Sequence, residues 1–230
     1  MAAGVALIVG AGHGLSASLA RRCAADGMKV ALAARNPDKL GDVVSATGAR
    51  AYRCDAVKPD DVSAPFAAVE RDFGVPALVV YNASRRLGGP IAGLDPAEVR
   101  VALLISCYGG FLVGRAAAQR MQAAGAGSIF FTGASASVKG YAQSAPFAMG
   151  KFGLRGLAQS MARELAPKNI HVAHFVIDGG IASASRRSDP AKPDAWLDPD
   201  AIAATYLNVH KQHRSAWTWE VELRPWVETF

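Results

Sequence analysis

Val9-Gly10-Ala11-Gly12-His13-Gly14-Leu15-Ser16 is a segment whose residue types and spacing suit one kind of chemistry. Glycines placed this way let a backbone turn tightly and approach a bound pyrophosphate closely. A helix that opens just behind them offers the anion free N–H groups and the positive end of its dipole. A plain glycine turn would share the composition. The apolar run Val5-Val9 in front and the helical pattern behind make the difference, because a strand–loop–helix setting is what gives the motif its meaning. Gly10, Gly12, His13, Gly14 and Leu15 are therefore the expected wall of a nucleotide cradle.

The next informative position follows the second apolar run, which ends Leu32-Ala33-Ala34-Arg35. An acid there would bond an adenosine ribose 2′-OH and favour NAD. None is present, and Arg35 suits a 2′-phosphate, so the sequence predicts NADP(H) in preference to NAD(H). His13 offers a second donor to that phosphate, or else caps its own turn. Arg35 also reads as an ordinary exposed cation at a helix start.

These residues need a frame. Val5-Val9, Val30-Ala34, Ala51-Cys54, Leu78-Tyr81, Ser128-Thr132 and His171-Val176 are apolar runs of strand length. Between them Ser16-Ala25, Asp38-Thr47, Asp60-Phe73, Pro96-Ala124 and Pro146-Ala166 read as helices, and Pro199-Gln212 precedes a last strand at Trp217-Leu223. Parallel strands need crossover helices, so the alternation predicts an α/β doubly wound parallel sheet of about seven strands with helices on both faces. Asp95-Pro96 and Asp198-Pro199 each place an N-cap acid before a proline at the first helical position. Residues 182–197 read as a mobile loop on the substrate side, and residues 1–230 as a single dinucleotide-binding domain.

On these motifs the chain resembles the short-chain dehydrogenase/reductase family. Its glycine loop is similar to the family's Thr-Gly-x-x-x-Gly-x-Gly, with Val9 for the threonine and Ser16 for the last glycine. Asp55-Ala56 matches the Asp-Val pair that touches the adenine. Asn82-Ala83-Ser84 resembles Asn-Asn-Ala-Gly, with Tyr81 and Ser84 as substitutions. Lys151 matches the lysine that holds the nicotinamide ribose, and the segment ending in Ile181 occupies the Pro-Gly stretch beside the nicotinamide, without its proline. The resemblance runs from Val5 to about Leu223 and implies a Rossmann fold, a nicotinamide cofactor and oxidoreductase activity. It also implies a homodimer or homotetramer built on the Pro96-Ala124 and Pro146-Ala166 helices, where Gly109, Gly110, Gly114, Gly150, Gly153 and Gly156 permit close approach.

The family's proton-transfer tetrad is Asn, Ser, Tyr, Lys. Aligned on these motifs, its first three positions hold Ser106, Ala134 and Phe147, and only Lys151 is retained. Phe147 and Lys151 are i,i+4, so one helix face carries both. Phenylalanine has no proton to give, and a placed acid is worth roughly 10²–10⁴ in rate. Substitutes lie nearby: Tyr141, the hydroxyls of Ser135, Ser137 and Ser144, and Lys151 itself if burial lowers its pKa. Tyr141 is the strongest single candidate and also reads as a half-buried loop aromatic. Two functions follow from the resemblance: an NADP(H)-dependent oxidoreductase with a non-standard proton path, or a catalytically silent NADP(H)-binding protein. The substrate side suggests an apolar, uncharged carbonyl compound, alcohol or enone.

Composition bounds the rest. At 51% hydrophobic, 230 residues can bury a large core. A net charge of +6 is spread as short pairs such as Arg85-Arg86, without the clustered basic face that nucleic acid requires. The longest apolar stretches are short for a membrane span, and the start of the chain reads as having no signal peptide. Cys23, Cys54 and Cys107 are odd in number and widely spaced, which suits small buried hydrophobes in a reducing cytoplasm and argues against a zinc site. His171 and His174 fall on opposite faces of a strand. His210 and His213 read as cations on the last turn of a helix, with no third ligand for a metal, and Trp217 and Trp219 as one face of the last strand.

Overall fold

In the sixth strand apolar residues alternate between two hydrophobic layers, Ile170 and Val172 on one side and Ala173, Phe175 and Ile177 on the other. A strand covered on both faces has this pattern, and it sets the architecture. The computed structural model describes residues 4–183, 186 and 192–228. The strands are β1 (Val5–Val9), β2 (Lys29–Ala34), β3 (Arg50–Arg53), β4 (Leu78–Tyr81), β5 (Gly127–Thr132), β6 (Ile170–Ile177) and β7 (Glu220–Leu223). They form a seven-stranded sheet in the order β3-β2-β1-β4-β5-β6-β7, parallel at every pairing. This is the doubly wound α/β sheet that the alternation predicts.

Helices cover both faces. On one, Phe66 of α3 (Pro59–Phe73), Val113 of α5 (Gly109–Ala124) and Leu154 of α6 (Ala145–Leu165) pack on Leu7, Val79 and Phe131. On the other, Leu19 of α1 (Leu15–Ala25) and Tyr206 of α7 (Pro199–His210) pack with Ile8, Val80, Phe130 and Phe175. Each such side chain contributes roughly 1.5–3 kcal/mol by leaving water. The two acid–proline helix starts form as expected, with Asp95 accepting from the Ala97 N–H at 2.9 Å and Asp198 from the Asp200 N–H at 2.7 Å.

Several expectations need correction. The stretch 38–47 is a 3₁₀ turn (Pro37–Leu40) followed by α2 (Gly41–Thr47). The 96–124 helix is α4 (Pro96–Leu103), a π turn (Leu104–Tyr108) and then α5. Its wider winding frees a carbonyl, and the Tyr81 hydroxyl donates to that of Ile105. Taken together, Pro96–Ala124 is 29 residues at a mean hydropathy of 1.6, long and apolar enough to cross a membrane by those measures. The apolar stretches are thus longer than the sequence suggested, but 56% of the most apolar window is buried inside this fold.

The last strand is shorter than 217–223. Gln212 bonds the backbone and hydroxyl of Thr218 and accepts the Trp217 indole N–H, so local bonds compete with the ladder there. Trp217 instead stacks on His171 at 4.7 Å. His213 lies beyond α7 and accepts from the Ser215 N–H, and only His210 belongs to the last helical turn. Most of the helix glycines also pack inside the chain. A Cβ on Gly110 would strike Leu154, one on Gly150 would strike Ser106, and one on Gly153 would strike Cys107, so the close approach is between elements of one chain. Gly156 alone of the six has open space around it.

Candidate functional site

The strand order reverses between β1 and β4, and a sheet of this kind opens a crevice beyond the carboxyl ends of those strands. The Asn82 N–H donates to Val9 O at 2.8 Å and pins the two loops side by side. Gly10 takes φ +85°, and a Cβ there would overlap Ala83, so only glycine allows the contact. Ser16 Oγ donates to Gly10 O at 3.1 Å and accepts from Asn82 Nδ2 at 2.8 Å. A cleft of about 440 Å³ lies over this seam, lined by Gly10, Ala11, Ala34, Arg35, Cys54, Asp55, Ala56, Val57, Asn82, Ala83, Ser84, Arg85 and Ile105.

That arrangement fits a dinucleotide. No side chain caps the N-terminus of α1, and a Cβ at Gly12 or Gly14 would meet nothing within 4 Å. The space beside these glycines is open, as a pyrophosphate needs. Of the residues expected at the cofactor, Gly10, Arg35, Asp55, Ala56, Asn82, Ala83 and Ser84 line this cleft and Ile181 lines a second one. Gly12, His13, Gly14 and Leu15 line neither. Leu15 is a core residue at 4% exposure, leaving only its backbone for a ligand. His13 is directed to Asp42 of α2, 3.3 Å away.

Lys151 lines neither cleft but lies behind Thr132 and Phe147 of the second one. It is 2% exposed, and its Nζ donates to Thr132 O at 2.7 Å. Burial pushes the ammonium pKa down to about 8. The Phe147 ring centre, one turn earlier on α6, is 6.0 Å from Nζ. Ser106 is fully buried in the π turn, against Gly150, and accepts from the Arg85 N–H at 3.2 Å. Ala134 precedes the 3₁₀ turn Ser135–Ser137, where Ser137 Oγ accepts from its N–H.

The second cleft, about 590 Å³, opens beside them. It is lined by Arg86, Thr132, Gly133, Ala134, Ser135, Ala136, Tyr141, Ser144, Phe147, Ile177, Gly179, Gly180, Ile181, Arg186 and Trp196. Tyr141 is 52% exposed on this wall. Of the 182–197 loop, residues 184–185 and 187–191 lie outside the described residues, while Arg186 and Trp196 are on the cleft.

Two charge clusters underpin this wall. Asp178 accepts from Lys139 Nζ at 2.9 Å. Burial opposes its ionisation, but bonds from Lys139 and Ser135 prevail and hold the carboxyl below its usual range. Deeper, Arg155 grips Glu220 through both oxygens, at 2.6 and 2.7 Å, and His174 Nδ1 sits 3.0 Å from the same carboxylate. Burial pushes the His174 pKa down to about 4 against the pull of Glu220. A Cβ on Gly133 would overlap the His174 ring. Sequence reasoning missed both clusters and both cleft arginines. One signal was available: Arg155 is i+4 from Lys151, on the same helix face.

Comparison with known proteins agrees with this geometry. Residues 4–193 match the family model described as short chain dehydrogenase. The chain is 29% identical over 182 residues to the 3-oxoacyl-(acyl-carrier-protein) reductase MabA of Mycobacterium tuberculosis, covering 79% of this chain and 71% of that protein. It is 34% identical over 179 residues to trans-4-hydroxycyclohexanecarboxylate dehydrogenase of Sinomonas cyclohexanicum, covering 73% and 69%. Among solved structures it is similar to a short-chain dehydrogenase from Rhodopseudomonas palustris, at 37% identity and TM-score 0.84 over 97% of this chain and 99% of that one. A metagenomic short-chain oxidoreductase in complex with NADP superposes at TM-score 0.82 with 28% identity, over 98% of both chains.

Proposed function

The chain belongs to the short-chain dehydrogenase family, and on that premise we propose that it is an NADP(H)-dependent oxidoreductase acting on a small, largely apolar carbonyl compound, alcohol or enone. The observation that carries this reading is Lys151, buried with its Nζ on Thr132 O directly behind the wall of the second cleft, while a first cleft lies over the glycine loop at the strand crossover. Relatives named as a 3-oxoacyl reductase and a hydroxycyclohexanecarboxylate dehydrogenase support the reaction class. The cofactor would supply or accept the hydride. Gly10, Asp55, Ala56 and Asn82 would hold its adenosine and ribose portions, and Lys151 the nicotinamide ribose. Arg35, exposed and with no acid at Ala34, supports preference for the 2′-phosphate form.

Ser106, Ala134 and Phe147 occupy three tetrad positions, so the proton follows a non-standard path in this proposal. Tyr141 is the donor: it stands on the second cleft with Ala134 and Phe147, and its phenol can reach substrate oxygen without a partner on α6. A homodimer or homotetramer is part of the same proposal, supported by Tyr108, Phe111 and Phe152 exposed on the π turn, α5 and α6. The single continuous sheet supports one dinucleotide-binding domain, and three free cysteines suit a reducing cytoplasm.

The test is a titration with NADPH and NADH, followed by a panel of carbonyls and enones read at the nicotinamide absorbance. Lys151→Ala should weaken NADPH binding, and Tyr141→Phe should abolish turnover while leaving binding intact. Tight NADPH binding with no turnover of any compound would reject the enzyme in favour of a binding protein.

A further inference from the structure

The second cleft carries more positive charge than a carbonyl oxygen requires. The Arg86 guanidinium carbon lies 5.9 Å from the Phe147 ring centre, and that of Arg186 lies 5.7 Å from the Trp196 ring centre. Both arginines line the cleft. The acids close to this wall are engaged elsewhere, Asp178 with Lys139 and Asp194 with the Trp226 indole. Among the described residues no carboxylate pairs with Arg86 or Arg186.

A ring under a guanidinium orients it without neutralising it, and leaves its fork of N–H donors free. Two such guanidinium groups beside two flat apolar faces match a flat apolar body that ends in a carboxylate, since arginine binds carboxylates through paired, charge-assisted hydrogen bonds. We propose that the substrate carries a carboxylate, bound by Arg86 and Arg186, on an apolar body lying against Phe147 and Trp196. A carboxylate substrate differs from the uncharged compound expected from the sequence. The proposal rests on reading this cleft as the substrate side of an NADP(H)-dependent oxidoreductase.

Benzoate and benzamide share a flat ring and differ in charge, so they test the site directly. Calorimetric titration of the full chain, with and without saturating NADPH, should show benzoate binding at least about tenfold tighter than benzamide, the effect of one charge-assisted contact. Added salt should weaken benzoate and leave benzamide unchanged. The double variant Arg86→Gln/Arg186→Gln should lose the preference while binding NADPH as before. Arg86→Lys, which keeps the charge and loses the fork, should fall between. Equal or tighter binding of benzamide, absence of benzoate binding, or a preference that survives the double substitution would overturn the proposal. Failure of NADPH to bind the unaltered chain would sink the cofactor reading alone, because the benzoate preference is measured without it as well.

Discussion

The ammonium of Lys151 is held by the backbone carbonyl of Thr132, 2.7 Å away across the space between α6 and β5. Thr132 is itself fixed by α7, its Oγ1 lying 2.9 Å from the Tyr206 hydroxyl. Lys151 is therefore positioned by the sheet from behind, and the position does not depend on the residue one turn earlier. A buried lysine with one backbone acceptor should leave a mark on stability.

That mark has a definite sign. Burial brings Lys151 to a pKa of about 8 in the folded chain, against 10.5 when exposed. Between those values the unfolded chain binds more protons, so the contribution of this group to stability rises with pH and is complete above pH 10.5. The rise should amount to roughly 3 kcal/mol at most. Urea unfolding from pH 7.5 to 10.5 should show it in the unaltered protein and not in Lys151→Met. A parallel pH dependence in both proteins would refute it.

His174 makes a second titration at the acid end. Its folded pKa of about 4 lies below the ordinary 6.5, so its contribution is present above pH 6.5 and is lost as pH falls toward 4. The loss should again be roughly 3 kcal/mol or less. In His174→Gln this part of the acid slope should vanish, and denaturant midpoints measured between pH 4 and 7 would show whether it does.

Phe147→Tyr should place a hydroxyl on the helix face shared with Lys151. In the Tyr141→Phe background, where no donor is left, it should restore carbonyl reduction by roughly 10²–10⁴, the worth of a placed proton donor. Adding Ala134→Ser and Ser106→Asn should raise it further. Steady-state rates on the triple variant in that background that match those of Tyr141→Phe alone would exclude proton transfer from the new hydroxyl.

Arg35→Asp should reverse cofactor preference. Removing a charge-assisted contact to a 2′-phosphate and adding a repulsive charge should cost NADPH roughly 1.5–3 kcal/mol or more of binding, while the new acid favours the NADH ribose. Fluorescence titration with both nucleotides gives the comparison. Equal NADPH and NADH affinities in the unaltered chain would contradict the assignment of Arg35.

Gly10→Ala should damage fold and site together. The new methyl group would overlap Ala83 at a backbone φ of +85°. Overpacking costs typically 1–3 kcal/mol, and the left-handed backbone adds on the order of 1 kcal/mol. Thermal unfolding should shift down and NADPH affinity should fall in the same variant, whereas Gly156→Ala, which meets open space in the middle of α6, should leave affinity unchanged and raise thermal stability slightly.

The fold was legible because its signals are local and periodic. Buried runs such as Val5–Val9 and acid–proline helix starts such as Asp95-Pro96 declare themselves within a few residues. The tight turn at Gly10 was legible for the same reason. The substrate side was not. Arg86, Arg186 and Trp196 converge from two segments far apart in the chain, and nothing in spacing or periodicity joins them. The His174–Glu220–Arg155 cluster likewise needs α6, β6 and β7 to be brought together. Trp217 was misplaced because Gln212 captures the adjoining backbone, a competition between side chain and ladder that no strand pattern reveals.

The bond from Asn82 to Val9 O, with Gly10 pressed on Ala83, makes the floor of the first cleft the same seam that joins the two central strands. A nucleotide seated there would act as a clasp on the middle of the sheet. At a hundred times its dissociation constant it would add about 2.7 kcal/mol to the folded state. Resistance of the chain to a protease should then track nucleotide supply, so that its persistence becomes a gauge of the reduced and oxidised pool it draws on.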